Sequence, residues 1–113
     1  SKIDSYKEVK DASLWIKDNS EPQDIIFSKS VTQMTYYSQR KILGFGGNET
    51  EFKEEVKQYK PKYIVFSVFE PHGATLAYPE KFKNSLELVK AYFADAAQQQ
   101  AILVIYKFKN YDL

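Results

Sequence analysis

A glycine cluster followed by an asparagine is the first feature of this chain that could do chemistry. Gly44, Gly46 and Gly47 stand between an apolar run and Asn48. Glycines let the backbone approach an anion, and the free N–H groups of a helix N-terminus bind phosphate. The order is not G-x-G-x-x-G, and no P-loop lysine and hydroxyl follow. The cluster therefore predicts either a phosphate-binding loop or a tight turn, which is the commoner use of such glycines.

Polar residues after the first predicted strand belong to the same expected edge of a sheet. Loops at the carboxyl ends of strands build the ligand sites of open α/β sheets. If the strands are parallel, residues 28–30, 44–47 and 70–73 meet there. Every α/β domain has such loops, so the convergence alone does not establish binding. The predicted ligand edge consists of Ser28, Lys29, Ser30, Gly46, Gly47, Asn48 and His72.

His72 is the single histidine of the chain and lies in a Pro-His-Gly loop. One histidine cannot build a metal cluster, and no carboxylate pair at helical spacing stands beside it. Glu70 could orient His72 as an acid–base pair, but a solvent-facing loop histidine is the commoner case. The residues therefore predict no metal site, no cofactor and no catalytic group.

The composition is that of one ordinary globular domain. The chain has 113 residues, close to the common domain size. Its net charge is +1, and Arg40 is its only arginine, whereas base and phosphate readout usually relies on arginine. We therefore expect no nucleic-acid partner. Cysteine is absent, which excludes disulfides and thiolate sites. No apolar run approaches the roughly 18 residues of a membrane helix, and no signal peptide is visible.

Helices are predicted where a capping pair precedes apolar residues at helical spacing. The three pairs are Ser5 and Glu8, Ser30 and Gln33, and Asn48 and Glu51. The helices that they predict cover residues 5–19, 30–38 and 49–59. Pro22 and Pro61 follow the first and third helix, which fits because the residue before a proline disfavours helical geometry.

Strands are predicted from short apolar runs that are rich in β-branched and aromatic residues. These runs are residues 25–27, 41–43, 63–69 and 101–108. Residues 86–93 fit a helix or a strand, and we favour a strand that forms a hairpin with 101–108, turned at 95–99. Residues 74–82 resemble a long ordered loop. The predicted fold is an α/β three-layer, Rossmann-like sandwich. Its mostly parallel sheet has about five strands, with a C-terminal antiparallel hairpin at one edge.

The order of several soft motifs resembles one family. The pattern Y-x-x-V-x-x-A-x-x-W-I-x-x-N covers residues 6–19, and Asp-Ile-Ile and Tyr-Tyr-x-x-Arg-Lys follow at 24–26 and 36–41. Pro-Lys-Tyr-Ile-Val at 61–65 and Ala-Ile-Leu-Val-Ile-Tyr at 101–106 complete the series. The chain resembles the soluble C-terminal domain of polytopic membrane glycosyltransferases of the dolichyl-phosphate-mannose protein mannosyltransferase type, archaeal and bacterial members especially.

This resemblance implies a single α/β domain, residues 1–113, excised from a larger membrane protein. The parent would transfer a sugar from a polyprenyl-phosphate donor on the extracytoplasmic face of the membrane. Its catalytic acids would lie in loops between membrane helices, so no residue here receives a catalytic role. Tyr37 and Arg40 match the family's Tyr–Arg stretch and are interpreted as structural. The expected partners are the rest of the parent enzyme and its acceptor, with the domain beside the membrane but not spanning it.

Three functions are compatible with these residues. The first is a non-catalytic accessory domain that positions the acceptor or a partner of a membrane glycosyltransferase. The alternative is a free-standing domain that binds a nucleotide or another phosphate ligand at the predicted edge. A third is a protein-interaction domain that uses exposed tyrosines such as Tyr36 and Tyr37. The lack of paired catalytic groups favours the accessory domain over an enzyme.

Overall fold

The computed structural model describes residues 2–68, 73–94 and 100–113, with side chains from residue 7 onward. The helices are α1 (Lys2–Asp18), α2 (Val31–Ser38), α3 (Glu49–Tyr59) and α4 (Tyr78–Lys81), and a 3-10 helix (Gly73–Ala77) precedes α4. The strands are β1 (Ile25–Phe27), β2 (Lys41–Leu43), β3 (Tyr63–Ser67), β4 (Leu86–Phe93) and β5 (Ala101–Phe108). The described helices include none long and apolar enough to cross a bilayer.

The five strands form one mixed sheet in the order β2-β1-β3-β5-β4. β1 is parallel to β2 and β3, whereas β5 is antiparallel to both β3 and β4. The predicted hairpin and the strand at 86–93 are confirmed. The prediction of a mostly parallel sheet holds only for the first three strands, because two of the four pairings are antiparallel. The predicted turn at 95–99 lies outside the described residues.

The place of β5 inside the sheet follows from its composition. Its buried residues, Ile102, Leu103, Ile105 and Phe108, include positions of both parities, so both of its faces meet other elements. β4 has more exposed positions and takes the edge, where its ladder is interrupted by two register shifts. Irregularities and charges such as Lys90 protect an edge strand from pairing with other chains. The hairpin therefore joins the sheet through its more apolar strand, β5, which pairs with β3.

Two cores lie on opposite faces of the sheet, and β3 contributes to both. Tyr63 and Val65 belong to a core shared with α1 and α2, while Ile64 and Phe66 belong to one shared with α3 and α4. All five residues of β3 are buried, as expected for a central strand with both faces covered. Full burial of such an aliphatic or aromatic side chain is worth about 1.5–3 kcal/mol. The fold is thus α/β with helices on both sides.

Two of the three predicted helix caps need correction, and the third is confirmed. The first helix begins at Lys2, so Ser5 lies inside it rather than at its cap. Ser30 occupies the N-cap of α2 but makes no side-chain cap hydrogen bond. Asn48 does cap α3, because its side chain accepts a hydrogen bond from the backbone N–H of Glu51.

The predicted loop at 74–82 is helical instead. Gly73–Ala77 forms the 3-10 helix and Tyr78–Lys81 forms α4. Pro79 stands in the first turn of α4, where a missing N–H is tolerated because no intrahelical partner exists for it. Tyr78 and Phe82 are both buried and fix the segment onto α3. Tertiary packing therefore stabilises a helix that the local sequence does not predict.

Candidate functional site

The carboxyl ends of β1, β2 and β3 meet at one edge of the sheet, as predicted. The backbone N–H of Ser28 donates a hydrogen bond of 2.9 Å to the carbonyl of Leu43. A Cβ added to Gly44 would lie 3.9 Å from the Ser28 carbonyl oxygen. A Cβ on Gly47 would lie 3.5 Å from that of Ala74. Three separate loops are therefore in contact, and we refer to them together as the carboxyl edge.

Ser28 and Ser30 serve the turn after β1. Ser28 is fully buried, and its Oγ accepts a hydrogen bond of 3.1 Å from the backbone N–H of Ser30. Such a serine hydroxyl stabilises a local turn by replacing a backbone acceptor. Ser28 thus has a structural role in the described geometry, and its hydroxyl is not exposed at the carboxyl edge.

Lys29 places a positive charge beside an aromatic ring. Its Nζ lies 5.4 Å from the centroid of the Phe45 ring, and Phe45 stacks on Phe27 with ring centroids 6.4 Å apart. A cation over an aromatic face at such a partly exposed site gains about 0.5–1 kcal/mol. Lys29 is therefore the cation that the carboxyl edge offers at the end of β1.

The glycine loop is tied to the start of α4. Tyr78 Oη donates a hydrogen bond of 3.1 Å to the carbonyl of Gly46, and burial raises the pKa of this phenol, helped by the nearby carboxylate of Glu49. Among the described glycines, only Gly73 has a positive φ, at 52°. Gly46 and Gly47 therefore do not need glycine for their backbone conformation. Open space surrounds Gly46, where no heavy atom lies within 4 Å of an added Cβ.

The N-terminus of α3 already holds a carboxylate. Asn48 Oδ1 accepts a hydrogen bond of 3.0 Å from Glu51 N. The carboxylate of Glu49 forms ion pairs with Lys81 and, at 3.3 Å, with Lys53. The hydrogen bond from Lys81 lowers the pKa of Glu49. A negative charge in the first helical turn is favoured by the helix dipole, so an incoming phosphate would meet like charge at this position.

His72 lies outside the described residues, as do Glu70 and Pro71. Ala74, in the 3-10 helix, lies beside Gly47 at the carboxyl edge. The loops that carry Ser28, Lys29, Ser30, Gly46, Gly47 and Asn48 meet at this edge of the sheet. Whether these residues bind a ligand stays a prediction.

Two clefts open near the carboxyl edge. The larger, about 150 Å³, is lined almost entirely by apolar side chains from β3, β5 and the 3-10 and α4 segment. Val68 and Leu76 at its rim are 54% and 62% exposed, which is high for aliphatic residues. The second cleft, about 130 Å³, lies between β1, β2 and α3 and includes Glu55. The described residues contain no group of three side chains that could hold a metal ion.

The apolar surface continues from the larger cleft across the hairpin. Tyr106 of β5 packs its ring on Phe66, with centroids 6.0 Å apart. Leu88 of β4 pairs directly with Tyr106, so both side chains are on the same face of the sheet. Leu88 is 53% exposed. We call Val68, Leu76, Leu88, Val104 and Tyr106 the apolar face; the residue pattern did not predict it, because its members are scattered through the sequence.

Arg40 and Tyr37, the residues of the family's Tyr–Arg stretch, both contact the first helix. Arg40 donates hydrogen bonds to Ser20 and to the carbonyl of Lys17 and so closes the end of α1. The ring of Tyr37 lies under Lys10 Nζ at 5.4 Å. Neither side chain lines either of the two clefts.

The fold matches a solved structure, the C-terminal globular domain of an oligosaccharyltransferase from Archaeoglobus fulgidus. The superposition has a TM-score of 0.54 and covers 88% of this chain and 95% of that domain, at 13% sequence identity. The likeness is one of fold. No family model matches the chain, and no curated protein matches it significantly. The resemblance to the mannosyltransferase type stays a prediction, since the matching domain comes from a different transferase.

Proposed function

We propose that this chain is a non-catalytic accessory domain of a membrane glycosyltransferase, a three-layer, Rossmann-like module on the extracytoplasmic face. The observation that carries the proposal is the fold match to the C-terminal domain of an oligosaccharyltransferase, which spans nearly the whole of both chains. The match covers 88% of this chain and 95% of that domain, so it concerns the domain as a whole and not one local motif. A sequence resemblance to C-terminal domains of membrane glycosyltransferases supports the same class independently.

In this proposal the remainder of the parent protein performs the chemistry. The donor is a sugar linked to a polyprenyl phosphate, and the parent is archaeal or bacterial. Residues 1–113 form one domain cut from that longer chain. The domain positions the acceptor or a neighbouring part of the enzyme and requires no cofactor. An apolar cleft suits this role, because packing against another apolar surface needs no charged groups.

The apolar face supplies the contact with the rest of the parent protein. Val68, Leu76 and Leu88 each leave more than half of their surface exposed, and a contiguous apolar patch of a few hundred Å² commonly marks an interaction site. Contacts between domains of one chain bury about 600–1,500 Å² in total. A small apolar contact can suffice for docking between segments that a covalent connection already holds close together.

A transfer assay on the parent protein tests the proposed role. The coding sequence around residue 1 is read first for apolar segments of roughly 18 residues or more. The parent is then purified with and without residues 1–113 and supplied with a polyprenyl-phosphate-linked sugar and an acceptor. We expect the domain alone to transfer no sugar and its removal to reduce transfer by the parent. A gene that encodes this domain alone would contradict the proposal.

Charged substitutions on the apolar face test the docking role. Leu76→Asp and Leu88→Asp should leave the isolated domain folded, because both side chains are largely exposed and such surface changes are usually within about 0.5 kcal/mol. In the parent, they should lower transfer or loosen the domain to protease. Tyr36→Asp, at a 76% exposed position elsewhere on the surface, is the matched control. Equal effects of all three substitutions would argue against a specific docking face.

Phosphate binding at the carboxyl edge is the second candidate. Lys29 and the open backbone at Gly46 support it, whereas the carboxylate of Glu49 opposes it. Titration with inorganic phosphate and with ATP, followed by the amide NMR signals of residues 46–48, separates the two functions. Saturable shifts at these amides would favour the phosphate-binding function. We expect no shifts up to millimolar ligand.

A further inference from the structure

A short sequence motif at the carboxyl edge contains Asn48, the N-cap residue of α3. The chain has four asparagines, and one of them, Asn48, is followed two residues later by a hydroxyl residue, Thr50. The intervening residue is Glu49, not proline. Asn-x-Ser/Thr without proline at the middle position is the acceptor sequence for N-linked glycans in proteins outside the cytoplasm. Because the motif is short, the exposure and hydrogen bonds of its residues must be considered before it is interpreted as a glycan acceptor.

The setting leaves the acceptor nitrogen available. Asn48 and Thr50 are both exposed. The cap of α3 uses Oδ1 of Asn48, which accepts from Glu51 N at 3.0 Å, whereas an N-glycan is attached to Nδ2. The same side chain can therefore cap the helix and carry a sugar. Beside it, the surroundings of Gly46 are open, so a sugar at Asn48 has room above the glycine loop.

We propose that Asn48 is an acceptor site for an N-linked glycan. This inference rests on the proposed function in one respect, the extracytoplasmic location. The donor is an oligosaccharide joined through its first carbon to a lipid-linked phosphate or diphosphate. The bond from that carbon to the phosphate oxygen breaks, and a bond from the same carbon to Asn48 Nδ2 forms. The amide proton that Nδ2 loses leaves with the released lipid phosphate, so atoms and charge balance without an oxidant or reductant.

The motif lies at the start of a helix. Asn48 is extended, with φ −78° and ψ 107°, and α3 begins at Glu49, so the motif crosses a helix boundary. Glu49 is held by Lys53 and Lys81, which fixes the first turn. Helix ends open at low free energy compared with the core. Opening of the first turn of α3 therefore adds to the access that Asn48 already has in the folded state.

A glycan at Asn48 also has a consequence for the carboxyl edge. It would stand beside Gly46 and Gly47 and cover the backbone that the phosphate-binding candidate needs. Full occupancy of Asn48 and phosphate binding at residues 46–48 are therefore mutually exclusive. The apolar face has different members, Val68, Leu76, Leu88, Val104 and Tyr106, and none of them belongs to the acceptor motif.

Peptide mass spectrometry on the protein from the cells that make it tests the proposal. The protein carries an added unstructured C-terminal tail with a second Asn-x-Thr motif, which reports exposure to the glycosylation machinery. Trypsin cuts after Lys41 and Lys53 and releases residues 42–53. We expect this peptide to carry a glycan in the unaltered chain and in Thr50→Ser. Thr50→Ala, which leaves the Asn48 cap intact, should lose it completely, as should Asn48→Asp.

The two ways in which the experiment can fail are distinguishable. A glycan on the tail together with unmodified residues 42–53 would overturn the Asn48 proposal and leave the extracytoplasmic location intact. Absence of glycan from both the tail and Asn48, in cells whose exported proteins carry glycans, would overturn the proposed location and the Asn48 site together. Persistence of the modification in Thr50→Ala would show that the sugar is attached by a different rule and would also overturn the proposal.

Discussion

The guanidinium of Arg40 closes the C-terminal end of α1 through Ser20. Arg40 Nε donates to Ser20 Oγ at 2.9 Å, and Nη2 donates to the carbonyls of Ser20 and Lys17 at 3.0 and 3.1 Å. Tyr63 Oη donates to the neighbouring carbonyl of Asn19 at 2.8 Å. The last carbonyls of a helix lack intrahelical partners, and a positive charge there complements the helix dipole. Arg40, which lies between α2 and β2, thus supplies hydrogen-bond donors to the end of α1, where Ser20 is 20 residues earlier in the chain.

Removal of this guanidinium should destabilise the fold. Arg40→Ala leaves two half-buried acceptors of Ser20 and the exposed Lys17 carbonyl without their donor, and hydrogen bonds to charged groups are worth about 1.5–3 kcal/mol. We expect the free energy of unfolding to fall by about 2 kcal/mol. Arg40→Lys should recover little, because one ammonium cannot reproduce the planar array of donors. Urea unfolding measures both changes.

Lys57→Ala is the control for Arg40, since Lys57 is an exposed lysine in the last turn of α3. It should change stability by less than about 1 kcal/mol. If Arg40→Ala were no worse than Lys57→Ala, the closure of α1 would be incidental to stability.

Tyr78 should act mainly through its ring. The ring packs on Phe52 with centroids 4.4 Å apart, and the residue is 2% exposed. Tyr78→Phe removes only the hydrogen bond to Gly46 and should cost about 0.5–1.5 kcal/mol. Tyr78→Ala should cost about 3–5 kcal/mol, as large-to-small aromatic changes in cores do. Chemical unfolding of the pair, with amide exchange at residues 46–48, measures the two contributions. Equal destabilisation by both changes would mean that the hydroxyl, not the ring, holds α4.

The strands and the first three helices were predictable because their signals are local. Short apolar runs gave β1, β2, β3 and β5, and the cap at Asn48 marked α3. The antiparallel hairpin was predicted, but the position of β5 beside β3 was not predictable, since it depends on pairing between residues about 40 positions apart. The helix α4 escaped for a similar reason, because Tyr78 and Phe82 become anchors only when α3 lies beneath them.

The position of the carboxyl edge was predictable from the sequence, whereas the arrangement of its charges was not. Parallel strands bring their ends to one side, so the meeting of the loops at Ser28, Gly44 and Gly47 followed from strand order. The pairing of Glu49 with Lys81 joins residues 32 apart in sequence and had no local signal. That pairing decides the electrostatics at the start of α3. The sequence did not predict the apolar face, because Val68, Leu76 and Leu88 are far apart in the chain and a single aliphatic residue gives no signal of its own.

The cap of α3 should separate the structural role of Asn48 from its role as a sugar acceptor. In protein made without glycosylation, Asn48→Ala should cost about 1 kcal/mol, the usual loss for a side-chain N-cap. Asn48→Asp should be neutral or slightly stabilising, because a carboxylate also caps and complements the dipole. Thr50→Ala, at an exposed position, should stay within about 0.5 kcal/mol. Thermal unfolding of the three variants tests this order, and a large loss in Thr50→Ala would undermine its use as the glycosylation control.

Alkaline destabilisation should depend on Tyr92. Burial raises the pKa of Tyr92 from 10.0 to about 12, with smaller contributions from the carboxylates of Asp11 and Glu8. Its Oη also donates a hydrogen bond to the carbonyl of Asp11 at 3.3 Å. The folded state therefore keeps the phenolic proton at a pH where the unfolded chain loses it. The stabilisation is complete below about pH 10, the unfolded pKa, and declines as pH rises toward about 12.

Tyr92→Phe isolates this contribution from the other tyrosines, since burial also raises the pKa of Tyr63, Tyr78, Tyr106 and Tyr111. The phenylalanine variant should lose less stability than the unaltered chain between neutral pH and about pH 11.5, by about 1–2 kcal/mol once solvent screening of a partly exposed group is allowed for. Urea unfolding at the two pH values measures the difference. Parallel losses in both proteins would mean that Tyr92 ionises equally in the folded and unfolded chain, and that its contact with α1 does not hold the proton.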